Sequence, residues 1–165
     1  MVEPTEQALQ RSRLVIYKAI EQDKDVPVKT IMEHGFPIDA PVHEHDVNTL
    51  MLAASIGSVK MLQTVLTLGP NINAKDKIGR TALHFACRRG SLEHFEVLIQ
   101  YDTLEIDGQT DSGVTPLMMA VYSGNVQLIA ACLNSNCNPF LQDALERSAR
   151  DYASSFKDVL GVDVR

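Results

Sequence analysis

The chain contains no tryptophan, and only 5% of its 165 residues are aromatic. That scarcity argues against a core of large ring clusters and suits small stacked helices packed through Ala, Leu, Val and Ile. Long apolar runs are missing too: the longest uncharged stretches are helix-length and interrupted, so no bilayer-spanning helix is expected. The N-terminus, Met1-Val2-Glu3-Pro4-Thr5-Glu6-Gln7, lacks the basic-then-apolar order of a secretion signal, and its acids disfavour a mitochondrial presequence. Neither end matches a lipidation signal. Cysteine is sparse: Cys87, Cys132 and Cys137 are odd in number and lack metal-ligand spacing, which fits a reducing compartment. Cytosol or nucleus is the expected location. An excess of positive charge is also absent. The net charge of −6 disfavours whole-surface attraction to nucleic acid or an anionic membrane, and neither is expected as a partner. The hydrophobic fraction of 45% supports a continuous core.

What the chain does have is a period. The stretch from Asp76 to Gly90 recurs in weaker copies on either side at a spacing of 33 to 34 residues. Thr81 returns as Thr115 and, upstream, as Asn48. Leu83 aligns with Leu50 and Leu117, Ala86 with Ala53 and Ala120, and Gly90 with Gly57 and Gly124. One fixed period over several positions marks a solenoid, in which each unit buries its apolar face only against its neighbours. Thr81-Ala82-Leu83-His84-Phe85-Ala86 resembles the ankyrin signature Thr-Pro-Leu-His-x-Ala. The copy at Thr115-Pro116-Leu117-Met118-Met119-Ala120 restores the Pro and loses the His. The resemblance implies an all-α ankyrin-repeat solenoid of stacked helix-turn-helix units with β-turn fingers, spread over nearly the whole chain.

The period divides the chain, as a single domain, into an N-terminal cap over about 5–42, repeats at 43–75, 76–109 and 110–142, and a truncated C-terminal cap at 143–165. In the first unit Leu14, Val15, Ile16, Ala19 and Ile20 form the expected apolar stripe of a helix. Asp25 is the expected N-cap of the next helix, Val28, Ile31 and Met32 its buried face, and Gly35 its left-handed end. Asn48 stands where the signature has Thr and is a competent N-cap. Asp102 replaces the helix-ending Gly of the third unit, which predicts a loop that is locally strained or differently turned. Asn136 is expected to hold the left-handed position in the fourth. In the last unit Arg150 falls where the pattern wants a buried Leu, and Phe156, Val159 and Leu160 remain for a short second helix.

Most recurring residues read as architecture. Asp76 and Gly79 build a turn, Thr81 serves the helix start, Ala86 permits close approach, and Gly90 lets the chain reverse. The resemblance gives His84 a place in the repeat's hydrogen-bond scaffold. A thiol–imidazole pair with Cys87, three residues on, is the weaker alternative, since no nucleophile–base motif accompanies it. His43 and His45 could share a metal, but two imidazoles without a third fixed ligand make a weak site, and a solvated turn tip is the plainer reading. No catalytic residue, metal or cofactor is expected.

Ankyrin-family proteins bind partners on the concave side, through turn tips and the exposed face of inner helices. Carried over by position, this gives Lys77, Ile78, Arg80, Arg88 and Arg89 in the third unit, and Asp111, Ser112, Val114 and Tyr122 in the fourth. Four cations around Ile78 in an acidic chain suit an acidic or phosphorylated protein segment, with Ile78, Val114 and Tyr122 as a desolvated centre. The alternative is a solvated surface, with Arg88 and Arg89 favoured by a helix dipole and Arg80 and Lys77 paired to Glu44 or Asp111. The expected function is non-enzymatic protein–protein recognition by an adaptor, scaffold or inhibitor, monomeric when free. A structural subunit of a larger assembly, held through a broader interface, is the rival.

Overall fold

The computed structural model describes residues 6–160, with side chains described to Ser154. The expected start at Thr5, the chain's last five residues and the side chains of Phe156, Val159 and Leu160 lie outside the described residues.

The helices come in pairs. They are α1 (Glu6–Glu21) and α2 (Asp25–Glu33), α3 (Thr49–Ile56) and α4 (Val59–Thr67), α5 (Ala82–Arg89) and α6 (Leu92–Leu98), α7 (Pro116–Ser123) and α8 (Val126–Asn134), then α9 alone (Ala149–Leu160). A 3-10 turn at Glu44–Asp46 precedes α3. Two rows result. An inner row stacks α1, α3, α5, α7 and α9 in order, and an outer row stacks α2, α4, α6 and α8. Helices α1 to α8 each touch a hairpin partner and their row neighbours, and α9 touches α7, which is how a solenoid builds one core from units that have none alone.

Asn48, Thr81 and Thr115 sit directly before the inner helices, at the recurring positions. Asn48 Oδ1 accepts the Met51 N–H at 2.9 Å, and Thr115 Oγ1 accepts that of Met118 at 3.3 Å, satisfying amides the first helical turn leaves open. Ser58, Ser91 and Asn125 do the same for α4, α6 and α8. Leu50, Leu83 and Leu117 are each no more than 1% exposed, and Ala53, Ala86 and Ala120 are fully buried between neighbouring inner helices.

Several local expectations need correction. Ile16, Ala19 and Ile20 are buried, but Leu14 and Val15 are 55% and 44% exposed; among the described residues α3 is the one inner-row helix packed on α1. Lys24, not Asp25, occupies the N-cap of α2, and Asp25 is its first helical residue, paired with Lys29. The Asp102 loop carries no left-handed residue: α6 stops at Leu98, and Tyr101 and Leu104 close successive turns onto Leu98 and Tyr101 carbonyls. Of the two expectations for this loop, the different turn is the one found. The C-terminal unit has one continuous helix of 12 residues, not two short ones, and Arg150 is exposed on it. Gly35 (φ +92°) and Asn136 (φ +64°) hold the left-handed positions assigned to them.

Candidate functional site

The turns between units form a layer of their own. Asp76 Oδ1 accepts the backbone N–H groups of Ile78 and Arg80, so its carboxylate closes the turn that the short sequence Asp76-Lys77-Ile78-Gly79-Arg80 makes. Asp143 repeats the arrangement with Leu145 and Arg147. Tip is joined to tip through the backbone: Lys77 N–H to His45 C=O, Asp111 N–H to Ile78 C=O, and Ala144 N–H to Ser112 C=O. The left-handed residue after each tip is Gly79 or Gly113 in the middle units and Asp46 or Glu146 in the flanking ones. A Cβ at Gly79 would stand 2.8 Å from Asp111 N, so the next turn's close approach demands glycine there.

This layer decides which of the expected contact residues face outward. Ile78 is 49% exposed at its tip, and Tyr122 is 59% exposed near the end of α7. Lys77 and Arg88 are exposed, and neither has an ion pair among the described residues. Arg88 and Tyr122 occupy equivalent places on the stacked helices α5 and α7. Asp111 and Ser112 are exposed at the fourth tip, while Val114 is half-buried and lends its carbonyl to His84. Leu145, at the last tip, is 69% exposed.

Two of the four cations have internal work. Arg80 pairs with Asp76 of its own turn, not with Glu44 or Asp111. Its guanidinium lies 2.6 Å from Asp76 Oδ2 and 4.6 Å above the Phe85 ring. Arg89 reaches back to the preceding unit and donates to the carbonyls of Gly57 (2.6 Å) and Ser55 (3.3 Å), capping the end of α3. The basic patch therefore projects chiefly through Lys77 and Arg88, with Lys75 donating at 3.4 Å to the Gln109 carbonyl.

His84 has both ring nitrogens engaged. Nε2 lies 3.0 Å from the Val114 carbonyl and must donate to it, so Nδ1 accepts from the Thr81 N–H at 3.1 Å. Burial pushes its pKa below the ordinary histidine value. The ring thus ties one unit to the next, the part the resemblance gave it, and no nitrogen is left for Cys87. His94 does similar work unforeseen from the sequence: Nε2 donates to Gly57 C=O at 3.1 Å, and Ser91 Oγ lies 2.7 Å from Nδ1. Burial, then the nearby Arg89 charge, lowers its pKa. His43 stacks on Tyr17 with centroids 5.2 Å apart, and His45 takes φ +60° at its tip.

Two further constellations escaped sequence reasoning. Asp143 Oδ2 gathers Arg147 (2.7 Å) and the Tyr152 hydroxyl (2.8 Å), and these donors hold its carboxyl well below the usual range. The signal was present: Asp76-x-x-x-Arg80 recurs as Asp143-x-x-x-Arg147. The thiols of Cys87, Cys132 and Cys137 meet in the core: contact with Cys132, then burial, pushes the Cys137 thiol up, and against the opposing Cys137 contact, Cys87 and burial push that of Cys132 up. Their spacing in sequence gives no hint of that meeting, since Cys87 arrives from the neighbouring unit.

Paired helices in two rows, stitched by a layer of turns with exposed tips, define a repeat-type recognition scaffold. The chain belongs to the ankyrin-repeat family: the model described as ankyrin repeats in three copies matches residues 50–143. Such repeats are generic protein–protein interaction modules, generally non-enzymatic. The chain is similar to human neurogenic locus notch homolog protein 1, 24% identical over 141 residues, covering 84% of this chain and 6% of that protein. Its zebrafish counterpart is 25% identical over 140 residues, with the same shares. A putative ankyrin repeat protein of Acanthamoeba polyphaga mimivirus is 28% identical over 116 residues, 65% of this chain and 16% of that one. The chain spans only a small part of each relative. No helix among the described residues is long and apolar enough to cross a membrane.

Proposed function

We propose that this chain recognises a partner protein along the side formed by its turn tips and inner helices, without chemistry of its own. The observation that carries the reading is the company of exposed side chains there. Ile78, Tyr122 and Leu145 are each about half to two-thirds exposed, beside the uncompensated cations Lys77 and Arg88. Fixed apolar groups flanked by charge are what a buried contact centre with a polar rim requires. The complementary partner is a segment with apolar residues beside an acidic or phosphorylated one, since guanidinium and ammonium groups bond such oxyanions strongly. Arg80 and Arg89 contribute indirectly, by fixing the turn and the helix end that hold Lys77 and Arg88 in place.

The test is affinity capture from extract of the native cell, comparing wild type with Lys77→Glu/Arg88→Glu. Neither side chain is used by the fold, whereas reversing Arg80 or Arg89 would break internal bonds and confuse misfolding with lost recognition. The reading expects one specific partner to vanish from a variant whose circular dichroism is unchanged. An identical set of partners would refute it.

A further inference from the structure

The turn tips carry a sign pattern that the fold does not use. In each turn the first N–H bonds the carbonyl four residues on: His43 to Val47, Asp76 to Arg80, Thr110 to Val114 and Asp143 to Arg147. The second residue of each turn is therefore equivalent, and along the stack it is Glu44, Lys77, Asp111 and Ala144. All four are exposed. The side chains of Glu44, Lys77 and Asp111 have neither hydrogen bond nor ion pair among the described residues. Their charges alternate from tip to tip: negative, positive, negative. Exposed neighbours reinforce the first two, Asp46 beside Glu44 and Lys75 beside Lys77.

Spacing is fixed as firmly as sign. Each tip stands just before its own inner helix and is bonded to the next, Lys77 N–H to His45 C=O at 2.8 Å and Asp111 N–H to Ile78 C=O at 3.1 Å. Helices packed side by side stand about 8–10 Å apart, so tips carried one per helix repeat at about that step. A polyproline II segment rises about 3.1 Å per residue with three residues per turn, so every third side chain returns to the same side after about 9 Å. A β-strand covers that distance in three residues as well, but turns the middle charge away. Two turns of α-helix advance about 11 Å, beyond the step, and the excess accumulates from tip to tip. We propose, building on recognition through the turn tips, that they read a polyproline II segment of the partner bearing a cation, an acid and a cation at every third residue: Lys/Arg-x-x-Asp/Glu-x-x-Lys/Arg. Each charge then meets its opposite, at Glu44, Lys77 and Asp111 in turn. The pattern is the same from either end, so it fits in both chain directions. Ile78, 49% exposed beside Lys77, offers the proline rings an apolar contact. A proline-rich segment holds this form before it binds, which lowers the ordering cost.

The probe is the synthetic peptide Pro-Lys-Pro-Pro-Glu-Pro-Pro-Lys-Pro, titrated at low salt into the whole isotope-labelled chain and followed by amide chemical shifts. It should move the amides of the three charged tips saturably. The peptide with all three charges inverted should bind about tenfold or more weaker, since opposite-charge contacts become like-charge ones. A peptide of the same composition with its charges at every second residue should also bind more weakly. Glu44→Lys/Lys77→Glu/Asp111→Lys should reverse the preference between the first two peptides. That variant stays acidic overall, so general attraction to a cationic peptide does not produce the reversal. Lys77→Glu alone, which guards against the triple variant misfolding, should cut the preference to about twofold, one contact in three having changed sign. Absence of saturable shifts with every peptide, a preference unreversed in the folded triple variant or untouched by Lys77→Glu, or equal binding of the two spacings would overturn the proposal. If Lys77→Glu/Arg88→Glu nevertheless loses its captured partner, recognition through the tips stands and the charge pattern alone falls.

Discussion

Replacing His84 measures how strongly one unit holds the next. The imidazole is 1% exposed and spans two units, donating to Val114 C=O and accepting from Thr81 N–H. In His84→Ala both partners lose their bond, at about 1–3 kcal/mol for each group left buried and unsatisfied. The void of the missing ring adds to this, and we expect a total of about 3–4 kcal/mol. A chain of this size loses about 2–4 °C of Tm per kcal/mol, so the midpoint should fall by about 10 °C. His84→Met is the informative companion, because Met118 fills the same position in the next unit and its Sδ lies 3.4 Å from the Thr115 N–H. That variant keeps the volume and a weak acceptor and loses the Val114 bond, so it should cost about 1–2 kcal/mol. Urea unfolding followed by circular dichroism at neutral pH gives both values. The same variants carry a pH signature. The folded-state pKa of His84 lies below its unfolded value, so between the two the unfolded chain binds more protons and stability falls as pH falls. The contribution is complete above about pH 6.5 and is lost below it. His84→Met should flatten that slope, leaving the share due to His94. A cost below about 1 kcal/mol for His84→Ala, or an unchanged slope in His84→Met, would refute the inter-unit role.

Three other outcomes follow from the packing. Arg80→Ala leaves the Asp76 carboxylate buried without its cation and should cost about 3 kcal/mol by urea unfolding, whereas Arg147→Ala, which removes a half-exposed cation and leaves Tyr152 donating to Asp143, should cost less. Gly57→Ala puts a Cβ 2.8 Å from the Ala53 carbonyl and should destabilise by about 2–3 kcal/mol, while Gly124→Ala meets nothing within 4 Å and should cost only the strain of φ +75°, about 1 kcal/mol. Cys87, Cys132 and Cys137 should react with a thiol reagent only as fast as the chain opens, and all three should react promptly in concentrated urea.

The period carried most of the fold into the sequence because it repeats the same physical demand. A capped start, a Leu–Ala face and a reversing Gly recur at Asn48, Thr81 and Thr115, and those positions begin the inner helices. The ends were harder to read. Leu14 and Val15 satisfy a helical stripe, but among the described residues α1 has one row neighbour where α3 has two, and periodicity does not count neighbours. Phe156 to Leu160 suggested a separate helix because α9 outruns the 8 residues of α3, α5 and α7. The binding side was legible as a set of positions and not as a set of available charges. Whether Arg80 projects depends on the Asp76 carboxylate of its own turn, and whether Arg89 does depends on the Gly57 carbonyl 32 residues away. Position in a repeat locates a side chain, and only its partners decide whether it is free to bind.

Hydrogen exchange of the chain with and without its captured partner tests the central claim most directly. Recognition through turn tips and inner helices predicts new protection at 76–80, 86–90, 110–114 and 119–123, with α4 and α6 unchanged. Protection confined to the outer helices, with those four stretches exchanging as in the free chain, would contradict it.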